Sequence, residues 1–202
     1  AQFLLWEYAT VIASYLLGVN PFDQPDVESA KIAARGMLEK RAAIAEPLFT
    51  DNGIEVRAHN LSLLECTDSI SAISSLLSQL KEDGYVSIQA YLNRNGHYEA
   101  EKLRNVIAKH SSRPTTFGWA PRFLHSTGQY HKGGPKQGVF LQLIAYSDND
   151  VPVPGRDFSL GQLIASQAQG DAQVLADLGR PVLSLTLVSP EVDFARILKD
   201  LA

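Results

Sequence analysis

The pattern of apolar and polar positions divides the chain into a helical beginning and a longer region where helices and strands alternate. Between residues 3 and 17, apolar side chains occupy nearly every side of a helix, so we expect this first helix to be buried over most of its surface. Gly18 and Pro21 end it, and a second helix is predicted from about residue 24 to residue 45.

From residue 54 onward, short extended runs alternate with helical ones. Strands are expected at residues 54–58, 85–91, 115–119, 138–146 and 182–188. Helices are expected at residues 68–80, 97–110, 159–178 and 190–201. We therefore predict an α/β fold, in which residues 47–202 form a mixed sheet with packed helices and residues 1–46 form two long helices before it.

Composition narrows the class of protein. With 202 residues, 45% hydrophobic and 20% charged, the chain can bury one substantial core or two small ones. A formal net charge of -4 argues against nucleic acid or an anionic membrane as the main partner. The only cysteine, Cys66, excludes an internal disulfide and favours a cytoplasmic location.

The apolar run at residues 3–17 is too short for a membrane-spanning helix, which needs roughly 20 residues. Glu7 interrupts the run, and no basic segment precedes it as in a signal peptide. The chain begins without a methionine and already inside a helical pattern, so we expect it to be a piece of a longer protein.

A first candidate site lies at the start of the second predicted helix. Gln24 and Lys31 are seven residues apart, so a helix would place them on one face about 10 Å apart along its axis. Gln24 offers an amide and Lys31 a movable cation, which together could span a small polar ligand. Spacing alone favours a plainer alternative, in which Asp23 caps the helix and Glu28 pairs with Lys31 on a solvated face.

The residues around Gln24 and Lys31 favour the ligand site over the solvated helix face. An apolar helix containing Glu7 is followed by Phe22-Asp23-Gln24, Val27-Glu28 and Lys31. This run resembles the C-terminal signature of glucose-6-phosphate isomerases, with a departure at Pro25-Asp26, where the family more often has a bulky residue and then glycine. The resemblance implies that residues 1–46 end a sugar-isomerase (SIS-like) domain.

The same resemblance implies an activity and two site residues. The family interconverts glucose 6-phosphate and fructose 6-phosphate in glycolysis and gluconeogenesis, without a metal or organic cofactor. Lys31 matches the lysine that contacts the substrate and assists ring opening, and Gln24 matches a glutamine that contacts the sugar phosphate. The family's catalytic glutamate and ring-opening histidine come from upstream segments, so we expect this chain to be inactive without the upstream part of its parent.

A second candidate site lies between residues 121 and 138, where cationic and hydroxyl side chains stand beside four glycines. Glycine-rich backbone, hydroxyl groups and cations together favour binding of an anion such as a phosphorylated sugar. The alternative is a solvent loop whose histidines bond to backbone, and a metal site is disfavoured because no Asp, Glu or Cys lies at suitable local spacing. The candidate binding residues are Arg122, His125, Ser126, Thr127, His131 and Lys132.

This second segment, with Arg-Phe-Leu-His-Ser-Thr-Gly-Gln followed by His-Lys-Gly-Gly-Pro, is similar to the C-terminal region of bacterial fusion enzymes in which a transaldolase precedes a glucose-6-phosphate isomerase. No transaldolase Schiff-base lysine is identifiable in this chain. A competing hypothesis is a non-catalytic module that binds a phosphosugar, oligomerises or regulates the parent. An exposed first helix would promote self-association, so a homo-oligomer is also expected.

Overall fold

The computed structural model describes residues 1–23, 31–32, 35–36, 38, 45–146 and 149–201. Helix α1 (Gln2–Leu17) ends at Gly18, whose φ of 68° is the left-handed conformation that glycine adopts without strain. Residues 31–32, 35–36 and 38 have helical backbone, while residues 24–30 lie outside the described residues. The first predicted helix is thus confirmed, but its expected burial is wrong, because nearly all of its apolar side chains are exposed and no described segment covers them. The length of the second helix stays a prediction.

One six-stranded mixed sheet organises the described residues from 45 onward, and a mixed sheet is what the sequence pattern predicts. Its spatial order is β1-β2-β6-β5-β3-β4, with β3 to β6 parallel and the two strands at the β1 edge antiparallel. The strands are β1 (Phe49–Asp51), β2 (Ile54–His59), β3 (Tyr85–Tyr91), β4 (Thr115–Trp119), β5 (Gly138–Ala145) and β6 (Val182–Leu187).

From residue 45 onward, the described residues form five helices beside this sheet: α2 (Ser69–Leu77), α3 (Lys102–Ser111), α4 (Gly128–Gly133), α5 (Leu160–Asp177) and α6 (Pro190–Leu201). Helix α6 contacts both α2 and α3, whereas α4 contacts α5. The parallel strands run β4-β3-β5-β6 in space, an order that reverses between β3 and β5. This is the doubly wound arrangement, in which ligands bind beyond the carboxyl ends of the strands near the reversal.

Local chemistry explains where the two best-defined helices begin. Asp68 accepts a hydrogen bond from the backbone N–H of Ser71, and the Ser71 side chain accepts one from the N–H of Asp68. Ser159 and Gln162 form the same reciprocal pair at the start of α5. These capping boxes satisfy N–H groups that a helix start leaves without partners, so both helices begin where the sequence predicts.

The two faces of the sheet have different chemistry because strand side chains alternate with a period of two. The face under α2, α3 and α6 holds the main core, which includes Ile88, Leu141 and Leu185. On the opposite face, Phe140 and Val182 pack against Leu175 of α5 in a smaller apolar cluster. Polar side chains occupy much of the rest of that second face.

Candidate functional site

The segment that carries the second motif begins at the carboxyl edge of the sheet. Beyond β4, the chain passes through a cis peptide bond between Ala120 and Pro121 and a single 3-10 turn, Arg122–His125. Helix α4 then leads toward the start of β5. The segment therefore begins at the edge where doubly wound sheets bind ligands and afterwards covers the polar face.

Three of the six candidate residues in this segment are exposed: Arg122, Ser126 and Thr127. The Ser126 hydroxyl donates to the Phe123 carbonyl at 3.2 Å, and the Ser126 N–H donates to the same carbonyl at 3.0 Å. The Thr127 carbonyl accepts from the His131 N–H at 3.1 Å. These bonds hold the turn and leave its outer side open to solvent; the His125 side chain lies outside the described part of the structure.

His131 is in the interior, 4% exposed, and both of its ring nitrogens have protein partners. Nδ1 lies 2.9 Å from the Tyr85 hydroxyl and Nε2 lies 3.3 Å from the Ser87 hydroxyl. Burial lowers the pKa of His131 to about 4, helped by the positive charges of Lys132 and Arg180. The imidazole is therefore neutral at physiological pH and joins α4 to β3.

Lys132 forms an ion pair with Asp171 of α5, with 2.5 Å between Nζ and Oδ1. The two side chains are 1% and 0% exposed. Neither carboxylate oxygen has a well-oriented hydrogen bond in the described residues, but Coulomb attraction requires no particular angle, so the short contact is an ion pair. Burial raises the pKa of Asp171 above its ordinary value, against the opposing pull of Lys132.

Arg180 closes the C-terminal end of α4. Its Nε donates to the His131 carbonyl at 2.5 Å, and its Nη2 donates to the carbonyls of Lys132 and Gly134 at 2.6 and 2.7 Å. The last carbonyls of a helix lack intrahelical donors and carry partial negative charge, so a guanidinium is a suitable partner. Arg180 thereby fixes the backbone of the His131-Lys132 pair and of Gly134 after it.

Beside these groups, a row of buried polar side chains extends across the three strands β3, β5 and β6. The Gln142 amide donates to Gln89 Oε1 at 3.2 Å and to the Ala168 carbonyl at 3.1 Å, while Ser184 donates to Gln142 Oε1 at 2.9 Å. The Tyr91 hydroxyl and Gln89 Nε2 are buried without a hydrogen-bond partner among the described residues. We call the set Ser87, Gln89, His131, Lys132, Gln142, Asp171, Arg180 and Ser184 the polar layer.

Glycines in the second motif serve close packing in at least two places. A Cβ on Gly134 would lie 2.5 Å from the Tyr130 carbonyl oxygen, and a Cβ on Gly138 would lie 2.8 Å from the rings of Tyr85 and Phe140. No side chain fits at such distances. The tight turn at the end of α4 and the contact between β3 and β5 therefore explain these two glycines without a bound anion.

The structure thus divides the second motif into an outer set and an inner set. Arg122, Ser126 and Thr127 form the outer set, whereas His131 and Lys132 belong to the polar layer. Sequence reasoning did not select their interior partners Asp171 and Arg180. The available signal was the polar residues at alternate positions of strongly apolar strands, such as Gln142 in β5.

For the first motif, Lys31 is exposed and lies in helical backbone, and Gln24 lies outside the described residues. Within the ranges that the structure describes, no group of three or more His, Cys, Asp and Glu side chains is arranged to hold a metal ion. Over the same ranges, no helix is both long enough and apolar enough to cross a membrane.

Comparison with known proteins gives a fold relationship. No protein-family model matches the chain, and no curated protein matches it. Among solved structures, the chain is similar to a hypothetical protein, TT0462, from Thermus thermophilus, with a TM-score of 0.56 and 16% sequence identity. The alignment covers 86% of this chain and 42% of that protein, so this chain spans less than half of its length. The similarity supports the α/β fold class.

Proposed function

We propose that this chain is the C-terminal part of a glucose-6-phosphate isomerase, of the kind found in bacterial transaldolase fusion enzymes. The observation that carries the proposal is the signature that follows the apolar helix α1, namely Phe22-Asp23-Gln24, Val27-Glu28 and Lys31. In this proposal, Lys31 and Gln24 complete an active site whose base and ring-opening histidine come from an upstream domain.

The exposure of α1 supports a composite protein. Phe3, Trp6 and Tyr15 are 88%, 71% and 84% exposed, although the helix is apolar on nearly every side. A helix of this composition is normally enclosed by other protein segments. An upstream isomerase domain would supply such an enclosure and would place the residues after α1 beside its substrate.

The chemistry assigned to the two residues follows from their side chains. A lysine ammonium near the sugar ring oxygen or a developing alkoxide stabilises negative charge during ring opening. An amide can both donate to and accept from the hydroxyl and phosphate oxygens of the sugar. Proton transfer between C1 and C2 requires a carboxylate base, which this proposal assigns to the upstream domain.

A coupled assay for conversion of fructose 6-phosphate to glucose 6-phosphate tests the proposal. The chain alone should show no turnover. Addition of a glucose-6-phosphate isomerase truncated before its own signature should restore activity, and Lys31→Ala should lower that restored activity by about 100-fold or more, the scale of an electrostatic catalytic group.

Arg94→Ala provides the matched control, because Arg94 is an exposed cation in the loop after β3, outside both motifs. It should leave the restored activity unchanged. Equal activity of the Lys31→Ala and unmodified chains would contradict the catalytic role. Turnover by the isolated chain would show that it contains its own base.

The exposed outer set supports a second candidate function, a phosphosugar-binding or regulatory module. Arg122, Ser126 and Thr127 follow the carboxyl end of β4, the edge favoured for ligands in this fold. Isothermal titration with glucose 6-phosphate should then detect binding that Arg122→Ala weakens about tenfold and Lys31→Ala leaves unchanged. Weaker binding by Lys31→Ala together with unchanged binding by Arg122→Ala would favour the isomerase proposal.

A further inference from the structure

A cavity of about 290 Å³ opens at the amino edge of the parallel strands, opposite the edge that holds the outer set. It lies between the end of β2, the turn before β3, and the segments leading into β5 and β6. Its polar lining comprises Asn60, Gln79, Lys81, Lys136, Gln137 and Arg180. None of these residues belongs to the Gln24–Lys31 signature or to the outer set, and Arg180 is shared with the polar layer.

Among the described residues, the lining has three cations and no carboxylate. Within the described part of the chain, the side chains of Lys81 and Lys136 form no ion pair. The nearby carboxylate of Asp83 accepts a hydrogen bond from the Gln137 amide, which holds that amide at the rim. A concave surface lined by cations concentrates the positive electrostatic potential and therefore attracts anions.

Arg180 adds a buried charge to this wall. It is 2% exposed, and its guanidinium bonds only to carbonyl groups in the described residues, with Nη1 left without a partner. Lys132 is neutralised by Asp171, but no described carboxylate neutralises Arg180. The interior behind the cavity therefore has excess positive charge that an anion in the cavity would offset.

The turn before β6 leaves room for Lys136. Gly179 has a φ of +75°, and a Cβ at this position would approach Lys136 Nζ to 3.2 Å. A larger residue there would both strain the backbone and displace the ammonium group. The chain thus places a lysine head group against the turn that carries Arg180.

From these four observations we propose that the cavity binds the phosphate group of a small phosphorylated polyhydroxy compound. Lys81 and Lys136 contact the phosphate oxygens, and the buried charge of Arg180 raises the local potential. The amides of Asn60 and Gln79 form hydrogen bonds with the hydroxyl groups, both as donors and as acceptors. This binding site goes beyond the proposed isomerase function and does not depend on it.

The test is a titration of the ¹⁵N-labelled chain followed by nuclear magnetic resonance, with potassium phosphate as the first probe and potassium chloride at matched ionic strength as the reference. Phosphate should shift the backbone amides of Gln137, Gly138 and Gly179 in a saturable manner, and chloride should not. Glucose 6-phosphate should bind at the same amides at least as tightly, because its hydroxyl groups add contacts.

Substitutions show which cationic side chains contribute to phosphate binding. The double variant Lys81→Gln and Lys136→Gln should weaken phosphate binding by about 100-fold, because each of the two lost charged hydrogen bonds weakens binding by about tenfold. The double variant Arg94→Gln and Arg156→Gln removes the same charge from exposed loops at the opposite edge and should bind as the unmodified chain does. Circular dichroism checks that both variants are folded.

Three results would overturn the proposal: equal shifts with phosphate and chloride, unchanged affinity in the Lys81/Lys136 variant, or shifts confined to the 120–127 segment. Phosphate binding should persist in Lys31→Ala. Failure of the isomerase assay together with retained phosphate binding would reject the proposed function and leave this site intact.

Discussion

Helix α1 and the polar layer reverse the usual relation between polarity and burial. In α1, aromatic and aliphatic side chains such as Trp6 and Leu16 are exposed, and Ser14 is the only buried residue of the helix. In the polar layer, a lysine, an aspartate, an arginine and two glutamines are almost completely enclosed between the sheet and its helices. The two regions belong to the same chain of 202 residues.

The difference shows that burial depends on available partners as well as on composition. Enclosed polar groups remain favourable where partners replace the lost water, as the carbonyls of α4 do for Arg180. Removing apolar surface from water stabilises the folded state by about 25 cal/mol for each Å², and this requires another surface to pack against it. Most apolar side chains of α1 meet no such surface among the described residues, so this stabilisation is not realised there.

The largest expected effect is on the buried ion pair. Asp171→Ala should lower the free energy of unfolding by about 3–5 kcal/mol, because it leaves the Lys132 ammonium enclosed without its counter-charge. Urea denaturation followed by circular dichroism measures the change. Asp200→Ala removes an exposed carboxylate and should change stability by less than about 0.5 kcal/mol.

The double variant Lys132→Met and Asp171→Leu sharpens this test. It removes both charges and keeps apolar volume, so it should be much more stable than Asp171→Ala alone. If the double variant is as unstable as the single one, the lost stability comes from packing around Asp171 and the ion pair is not its source.

A smaller effect is expected when pH falls. The pKa of His131 is about 4 in the folded chain and near 6.5 in an unfolded chain, so the unfolded state binds its proton first. The stability contributed by neutral His131 is complete above pH 6.5 and is lost as pH falls toward 4. Denaturation at several pH values should show a loss of about 3 kcal/mol from this residue.

His131→Gln separates this contribution from that of the acidic residues. The variant should be less stable than the unmodified chain at about pH 7.5, because its bonds to Tyr85 and Ser87 change. Its stability should then depend less on pH between 6.5 and 4. Parallel stability curves for the two proteins across that interval would contradict the assignment of the proton uptake to His131.

The smallest effect on folding stability is expected in α1. Replacing Trp6 and Tyr15 by serine should change the free energy of unfolding by less than about 1 kcal/mol, because both side chains are already exposed. The same change should reduce self-association in sedimentation velocity experiments. A monodisperse monomer at high concentration in the unmodified chain would contradict the expectation that α1 drives association.

Most elements of the fold could be predicted from the sequence. The apolar alternation in β3 and β5 and the helical spacing in α2 and α6 give strong signals, and the structure places these elements within a few residues of the predicted ranges. The short elements β1 and α4 were missed. Three residues are too few to show a period, and α4 has glycine at both ends.

The candidate site was less predictable. Arg122 and His131 are close in sequence and belong to the same anion-binding pattern, yet one is exposed and the other is buried. Their separation depends on the packing of α4 against β3 and α5, which encloses His131 and leaves the preceding turn outside. The cations of the amino-edge cavity, Lys81, Lys136 and Arg180, come from distant parts of the sequence and have no common motif.

The sequence by itself determined the α/β class, most of the helices and strands, and the resemblance around Gln24 and Lys31, because these depend on local periodicity and on contiguous residues. Tertiary structure alone decided the strand order, the enclosure of Lys132 with Asp171, and the cavity at the amino edge. Those features depend on contacts between residues far apart in the chain, and such contacts leave no periodic signal in the sequence.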